Sequence, residues 1–322
     1  MYWSQVRILA GPPAFLVIQL CYVSVIFIMS NIFSTITLKN SDNYTRNCIK
    51  SFFKFTKLEK NDDFFLINND GCNLDYLNDF SKIKVINNKF PLNFAQNINQ
   101  IIHKGETCGK NVVIFNNDLI FTKDWFEPLK NNDDSISIPS SNQLFKYDYF
   151  GKLKLKATMS LNEFNEKYDE LDQIVVLHKK KFKKNFKFQG LLMPFYCFKL
   201  PQKIFKEVGK FDESFNNGGE DIDYRIRSAL KGYEVDFLAD TYLLHFHGKS
   251  TWDSKESIKE TEKRDELYVK GFNEKWGKEL TQIFIIRKNF SEILQKKNLY
   301  SSFKAGNFSG IIRKMWPDKS KT

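Results

Sequence analysis

One ten-residue segment, residues 218–227, contains two glycines, three acids and two arginines. Its acids are Glu220, Asp221 and Asp223. Glycine lets a backbone approach a ligand closely, and unpaired N–H groups in the first turn of a helix stabilise ionised carboxylates. A carboxylate held in this way can act as a general base. We therefore interpret the segment as an acid site at a helix start.

A second polar group follows the apolar run at residues 242–244, where His245 and His247 flank Phe246. Half of the four histidines thus follow one predicted strand. A lone histidine is usually a packed or exposed residue. Its place after a strand and downstream of an acid motif supports a role as a metal ligand.

The residues before these motifs alternate between strand-like and helix-like patterns. The predicted strands are residues 31–38, 64–67, 83–86 and 111–115, and apolar helix faces lie between them. Alternating strands and helices predict an α/β fold with a mostly parallel sheet flanked by helices. Such sheets bind ligands beyond the carboxyl ends of their strands, so candidate residues should follow strands.

Polar residues do follow two of the predicted strands. Asn68, Asn69 and Asp70 come after one strand, and residues 116–118, with the sequence Asn-Asn-Asp, come after another. A carboxylate at such a position can hold a divalent cation that bridges nucleotide phosphates, which makes Asp118 a candidate ligand. A polar turn is the alternative, because Asn and Asp are favoured in turns for structural reasons.

Composition limits the kind of partner. The chain has 322 residues, 42% of them hydrophobic, which excludes wholesale disorder. Its formal net charge of +11 predicts an anionic partner: nucleic acid, a phosphate-bearing ligand or an anionic membrane. The five cysteines are scattered and form no CxxC pair. We therefore expect a reducing compartment, without a disulfide framework or a zinc knuckle.

The two ends of the chain differ from its centre. Residues 1–28 form an apolar extension that fits either a short anchor or a mis-assigned start. Residues 253–322 are a basic helical tail, either a helical cover or a segment resting on an anionic membrane.

A lysine-rich stretch lies at residues 179–187. It could contact an anionic acceptor or a membrane, although a solvated loop is the commoner role of such clusters. Phenylalanines interleave with the lysines, which keeps RNA binding as a minor alternative.

The longest motif runs from residue 208 to 215, VGKFDESF, continues as GGEDIDYRIR at 218–227, and ends with Gly232 and Tyr233. It resembles the "GxFDE", "GGEDxDxxxR" and "GY" pattern of GT-A nucleotide-sugar glycosyltransferases, close to family 2 and to galactosyltransferase-like proteins. The resemblance implies a Rossmann-like GT-A domain over residues 29–252. It also implies transfer of a sugar from a nucleotide-diphosphate donor to a hydroxyl of a glycan or lipid-linked glycan, by metal-dependent inverting displacement.

The same resemblance implies roles for the carboxyl-terminal motif. Asp221 matches the catalytic base, and Glu220 would contact the acceptor. Gly218 and Gly219 would make room for the acceptor. Asp223 would form supporting pairs with the arginines at 225 or 227.

For the metal, the resemblance implies a divalent cation, Mn²⁺ or Mg²⁺, held by Asp118 and His245, with His247 as the alternative ligand. Asn116 stands where many relatives have an acid. Asn97 matches an asparagine near the nucleotide. The strand-end position where family 2 commonly has a base-recognising Asp holds Asn68, with Asp70 shortly after it.

Two other functions remain open at this point. One is a degenerate glycosyltransferase that binds carbohydrate or membrane, suggested by Asn116 and by the basic tail. The other is a nucleotidyltransferase, although residues 39–42, Lys-Asn-Ser-Asp, lack the glycine-rich loop expected after its first strand. We expect a cytoplasmic protein, in solution or at the cytoplasmic face of a membrane, with nucleic acid the least favoured partner.

Overall fold

The computed structural model describes residues 29–142, 159–182, 184, 186–215, 218–248, 258–287 and 290–316. The apolar extension predicted at residues 1–28 lies outside these ranges. The amino-terminal half contains β1 Asn31–Thr37, α1 Asp42–Phe55, β2 Asp63–Asn68, a 3-10 turn Asp75–Asp79, β3 Ile83–Asn87, α2 Phe94–Cys108 and β4 Asn111–Phe115.

The central part adds the remaining strands and the helices between them. These are β5 Leu119–Ile120, α3 Glu127–Lys130, β6 Ile136–Ser141, α4 Leu161–Glu166, α5 Tyr168–Lys181, β7 Lys187–Gln189, β8 Cys197–Leu200, α6 Gln202–Val208, α7 Glu220–Leu230 and β9 Val235–His245. The carboxyl-terminal part is helical: α8 Ile258–Thr281, a π-helical turn Gln282–Ile286, α9 Phe290–Lys296, α10 Tyr300–Lys304 and α11 Phe308–Met315.

The strands form one nine-stranded sheet in the order β3-β2-β1-β4-β8-β6-β9-β5, with β7 also pairing with β9. β1 pairs in parallel with β2 and β4, β2 with β3, and β6 with β9. β8 runs antiparallel to its neighbours β4 and β6, and β5 and β7 run antiparallel to β9. The prediction of an α/β fold with a mostly parallel sheet flanked by helices is confirmed.

The main core is aromatic and lies under α1. The ring of Phe52 from this helix contacts Phe33 of β1, Phe64 of β2 and Phe115 of β4, with centroids 4.9 to 5.5 Å apart. Apolar residues in α1 recur three to four positions apart and therefore face the sheet together. This packing fixes the helix start, and hence Ser41, beside the end of β4.

A second core joins α7 to the carboxyl-terminal helices. Ile222 and Ile226 of α7 pack with Phe272 and Trp276 of α8 and with Ile311 of α11. These helices cover α7. None of the described helices is both long and apolar enough to cross a membrane.

Candidate functional site

The Asn-Asn-Asp segment after β4 sends its side chains in two directions. The amide of Asn117 donates to the hydroxyls of Ser41 (2.9 Å) and Thr45 (2.8 Å) at the start of α1. Asn116 and Asp118 instead approach the ring of His245: their side chains lie 3.5 and 3.2 Å from its Nε2. Asn117 is thus anchored towards α1, while its two neighbours lie at the His245 ring.

Main-chain pairing holds His245 next to Asp118. β5 pairs with the end of β9 so that Leu119 lies opposite His245, and the N–H of Phe246 donates to the carbonyl of Asp118 (3.0 Å). The side chain of Asn142 accepts from the N–H of His245 and donates to its carbonyl. The sequence pattern did not identify Asn142, because it lies 103 residues from its partner and matches no motif.

The donor set suits a divalent cation. Asp118 and His245 are 1% and 7% exposed, and they present a carboxylate oxygen and an imidazole nitrogen at one point. Mn²⁺ and Mg²⁺ prefer oxygen ligands, and imidazole also binds first-row metals. No group of three or more His, Cys, Asp or Glu side chains in the described ranges could hold a metal. Asp118 and His245 would thus offer two protein ligands to a cation. His247 is exposed, which makes His245 the better-placed ligand.

The second group of acids begins α7. Gly219 precedes the helix with a φ of 98°, a conformation that glycine adopts without strain. Burial raises the pKa of Glu220 to about 8, and the negative charge of Asp221 adds to the shift. Burial also raises the pKa of Asp221 to about 6, although backbone N–H groups, led by that of Ile222, oppose it. Near neutral pH, Asp221 is thus mainly ionised and Glu220 mainly protonated.

Tyr268 of α8 covers the glycines before this helix. A Cβ on Gly219 would lie 2.3 Å from Cε2 of the Tyr268 ring, closer than real contacts allow. Burial raises the pKa of the Tyr268 hydroxyl, and the charges of Asp221 and Glu220 raise it further. Gly219 therefore lies against this ring, and an acceptor-binding role for the two glycines stays a prediction. This contact could not be predicted from the sequence, because Tyr268 lies 49 residues after Gly219 in a charged helix.

Asp223, two residues after Asp221, has a supporting role. It accepts from Nε of Arg227 (2.8 Å) and from Nε1 of Trp276 (2.9 Å), and it lies 2.7 Å from Nζ of Lys275. The predicted pair with an arginine is therefore formed by Arg227. Arg225 does not share this role: it is fully buried and donates to the carbonyl of Gly190 and to the hydroxyl of Ser309.

Asparagines at the end of β2 and in α2 connect the loops around them by hydrogen bonds. Asn68 bonds to the backbone of Cys72 and to Asn87. The amide of Asn97 donates to Asn69 and to two backbone carbonyls, and its oxygen accepts from Asn88.

Asp70 accepts twice from the N–H of Lys39, at 2.9 and 3.0 Å. This contact joins the residues after β1 to those after β2. The nucleotide-binding roles of Asn68, Asp70 and Asn97 stay predictions.

The two groups of acids belong to the same edge of the sheet by topology. β4 and β9 run in the same direction, because β8 is antiparallel to β4 and to β6, and β6 is parallel to β9. Asp118, shortly after β4, and His245, the last residue of β9, therefore lie at one edge. Since α7 leads directly into β9, we expect it to run back along the sheet, with Glu220 and Asp221 towards that edge.

No family model and no curated protein matches the chain. Similar solved structures include GalNAc-T7 with UDP, GalNAc and Mn²⁺, at 12% identity and a TM-score of 0.49, covering 68% of this chain and 44% of that one. Another is S. aureus TarS 1-349 in complex with UDP-GlcNAc, at 10% identity and a TM-score of 0.49, covering 84% and 78%.

A third similar structure is the mannosyltransferase PcManGT from Pyrobaculum calidifontis in complex with GDP-Man and Mn²⁺. Its identity is 7% and its TM-score 0.45, and the match covers 91% of this chain and 89% of that one. The chain spans less than half of the length of GalNAc-T7. With identities this low and TM-scores below 0.5, functional conclusions rest on the residues of this chain.

Proposed function

We propose that the chain is a metal-dependent glycosyltransferase that moves a sugar from a nucleotide-diphosphate donor to an acceptor hydroxyl, with inversion. The observation that carries the proposal is the buried pair Asp118 and His245, 3.2 Å apart at neighbouring strand ends. The motif that begins α7 supports it. The acceptor class we propose is a glycan or lipid-linked glycan.

In this mechanism Asp118 and His245 would hold a divalent cation, Mn²⁺ or Mg²⁺. When bound, the cation neutralises the charge that develops on the departing diphosphate. Asn116, whose amide lies 3.5 Å from His245, would contact a phosphate oxygen or the sugar. Because the chain supplies two ionisable ligands here, we expect binding of cation and diphosphate to be mutually dependent.

Asp221 would act as the base. The acceptor oxygen attacks the anomeric carbon, and its proton passes to the Asp221 carboxylate. The bond between the anomeric carbon and the phosphate oxygen breaks, and its electron pair leaves with the nucleoside diphosphate. Glu220, protonated near neutral pH, would donate a hydrogen bond to a sugar or acceptor oxygen. Its buried Oε2 has no hydrogen-bond partner among the described residues.

The test is release of nucleoside diphosphate from a panel of UDP- and GDP-sugars by the purified full chain, with Mn²⁺, with Mg²⁺ and with EDTA. We expect metal-dependent release from one donor class. Asp221→Asn should lower turnover by about a hundredfold or more and keep metal-dependent nucleotide binding in calorimetry. Asp118→Asn should lose that binding, whereas Asp79→Asn, at an exposed acid, serves as the matched control and should change neither.

Other outcomes would identify the alternative functions. Nucleotide binding without turnover in any condition would indicate a degenerate enzyme. Release of pyrophosphate in place of nucleoside diphosphate would indicate a nucleotidyltransferase. Unchanged turnover in Asp221→Asn would refute its assignment as the base.

A further inference from the structure

An exposed apolar surface lies beside the lysine-rich stretch. Val176 and Leu177 in α5 are 51% and 64% exposed, and Phe186, just after the helix, is 43% exposed. The opposite face of α5 is packed against the sheet: Leu171 and Val175 are buried against Tyr242 and Leu244 of β9. The orientation of α5 is thus fixed by its core face, and Val176 and Leu177 belong to the face turned away from the protein, whereas Phe186 follows the helix and stacks on Phe182.

Several lysine side chains follow these apolar residues along the chain. Lys180, Lys181 and Lys184 are exposed and take part in no ion pair with another described residue. Two neighbouring lysines are paired: Lys179 with Asp124 (3.2 Å) and Lys187 with Asp236 (2.7 Å). Lys180 and Lys181 come three to five positions after Val176 and Leu177 in α5, whereas Lys184 follows the helix and lines a hollow with Asp124, Glu127 and Asp240.

The charge of α5 is strongly polarised along its length. Asp169, Glu170 and Asp172 lie near its amino-terminal end, and Lys179, Lys180 and Lys181 occupy its last turn. An anionic surface would repel the first end and attract the second. The apolar residues Val176 and Leu177 precede the attracted end by less than two turns. This arrangement suits a helix whose carboxyl-terminal end enters the headgroup region of a bilayer.

We propose that the basic surface, defined as Val176, Leu177, Lys180, Lys181, Lys184 and Phe186, docks this protein onto an anionic lipid bilayer. The lysines meet lipid phosphates, and the three apolar side chains enter the interface. Charge complementarity favours an anionic bilayer, because a neutral bilayer would not attract the lysines. The proposal does not depend on the glycosyltransferase assignment. Together the two would place the active site beside a membrane, where a lipid-linked acceptor is accessible.

The test is sedimentation of the full chain with two kinds of vesicle, one of phosphatidylcholine and one with 30% phosphatidylserine, at about 0.1 M salt. The measured quantity is the ratio of the two partition coefficients. Apolar residues 14–29 would bind both kinds of vesicle, so the ratio of the two partition coefficients reports only the binding that depends on lipid charge. We expect a strong preference for the anionic vesicles that declines as salt rises.

The decisive variant replaces Lys180, Lys181 and Lys184 with Gln. Each lysine near an anionic surface contributes roughly a fivefold factor, so the ratio should fall by about a hundredfold. The matched control replaces three exposed lysines elsewhere, Lys60, Lys82 and Lys89, which makes the same change in net charge. This control should change the ratio by less than about threefold if the effect is local.

A second variant tests the apolar part of the surface. Val176→Ser with Leu177→Ser should lower the ratio by about tenfold, because these side chains reach the interface only when the lysines hold the helix end there. Phe90→Ser, at a 75% exposed phenylalanine on another surface, is its control. Circular dichroism of each variant confirms that the fold is kept.

Three results would overturn the proposal. One is the absence of any preference for anionic vesicles. Another is an equal loss of preference in the control triple, which would indicate attraction by net charge alone. The third is tight binding of single-stranded RNA that the Lys→Gln triple abolishes, with no vesicle binding, which would assign the surface to nucleic acid.

Discussion

Two adjacent carboxyl groups, Glu220 and Asp221, differ because their surroundings differ. Glu220 is almost wholly buried and lies beside a second negative charge, so its charged form is strongly disfavoured. Asp221 accepts a hydrogen bond from the N–H of Ile222 (2.7 Å), and the positive charge of Arg287 also favours its charged form. One group is thus suited to accept a proton and the other to donate a hydrogen bond.

The rate of donor hydrolysis should depend on pH as a bell. Below about pH 6 Asp221 becomes protonated and loses its function as a base, and above about pH 8 Glu220 loses the proton that it donates. Because the two carboxyl groups interact, the two apparent pKa values describe Glu220 and Asp221 together. We expect kcat/KM, measured with Mg²⁺, to fall about tenfold per pH unit outside this window.

Glu220→Gln is the matched variant for this profile, since Gln keeps a donor at every pH. The alkaline limb should vanish and the acid limb should stay. An alkaline limb that persists in this variant would show that another group causes it.

The pH dependence of stability gives a second check on Glu220. Its pKa is raised from 4.5 to about 8, so the folded state holds a proton that the unfolded state loses. The unfolding free energy should therefore decline as pH rises from about 4.5 to 8, since the folded state binds more protons. One pKa unit corresponds to about 1.4 kcal/mol, so the decline attributable to Glu220 amounts to a few kcal/mol.

Urea unfolding at several pH values measures this effect. Glu220→Gln should show a shallower decline between pH 5 and 8 than the parent chain. Parallel curves for the two proteins would mean that Glu220 is ionised in the folded state at neutral pH.

At the scale of the elements, the start of α7 is shaped by α8. Gly219 permits the turn into the helix and also leaves space for the ring of Tyr268. Asp223, on the same helix, binds Lys275 and Trp276 of α8. The helix that carries the proposed base therefore also fixes the helix that covers it.

Gly219→Ala should cost more than the strain of its backbone conformation. A positive φ costs a non-glycine residue about 1–2 kcal/mol, and the clash with Tyr268 adds to this. The control is Gly71→Ala, at a φ of 78° with nothing within 4 Å of its Cβ, where only the strain applies. Urea unfolding should rank Gly219→Ala as the more destabilising of the two.

A double-mutant cycle separates the clash from the strain. Adding Tyr268→Ala removes the ring, so the cost of Gly219→Ala should drop by about 1 kcal/mol or more in that background. Additive costs would contradict the contact between Tyr268 and Gly219.

Asp223→Asn should weaken the junction of α7 and α8. The substitution removes the charge that faces Arg227 and Lys275, and removing one partner of a buried ion pair costs about 3–5 kcal/mol. Because Lys275 and Arg227 are partly exposed, we expect about 3 kcal/mol in urea unfolding. Glu279→Gln, which removes an exposed pair with Lys297, should change stability by less than about 1 kcal/mol. Similar losses in both variants would mean that the Asp223 contacts add little.

Sequence patterns predicted the amino-terminal elements closely. The strand predicted at residues 111–115 is β4 residue for residue, and the run at 242–244 does end a strand at His245. Local periodicity reports which residues share a face, and buried parallel strands show it clearly as apolar runs. The antiparallel strand β8, Cys197–Leu200, was not predicted, because four residues carry little period and pairing direction has no local signature.

The residues of the candidate site likewise divide into those that the sequence could predict and those that it could not. The acids and His245 could be predicted because they lie within motifs or directly after strands. Asn142 and Tyr268 could not, since each acts through a contact more than 45 residues away in the chain. Their positions depend on how the sheet closes and how α8 returns over α7.

At the scale of the whole molecule, two cores share α7. Tyr224 on one side of this helix belongs to the sheet core, where its ring stacks on Phe211 with centroids 4.0 Å apart. Ile222 and Ile226 belong to the core formed with α8–α11. Arg225 ties the two parts together through the carbonyl of Gly190 and the hydroxyl of Ser309. The contacts of α7 thus join residues on both sides of the boundary predicted at residue 253, which itself lies outside the described residues.

A chain ending at Trp252 should not fold cooperatively. It would expose Ile222 and Ile226 of α7 and leave Asp223 and Arg225 without partners from α8 and α11. Each large apolar side chain that loses its burial costs about 1.5–3 kcal/mol, and a buried charge without a partner costs several more. The total approaches the whole stability of a typical domain, about 5–15 kcal/mol.

Thermal unfolding followed by near-ultraviolet circular dichroism checks this. The matched control ends at Trp316: it removes only residues 317–322 and keeps the packing of Trp316 on Trp276, 5.4 Å between centroids. The control should unfold like the full chain, whereas the shorter chain should show no sharp transition and should bind a hydrophobic dye. A sharp transition near that of the full chain would show that the sheet and α7 fold without their helical cover, and Asp223 and Arg225 would then have to be solvated or paired within the sheet domain itself.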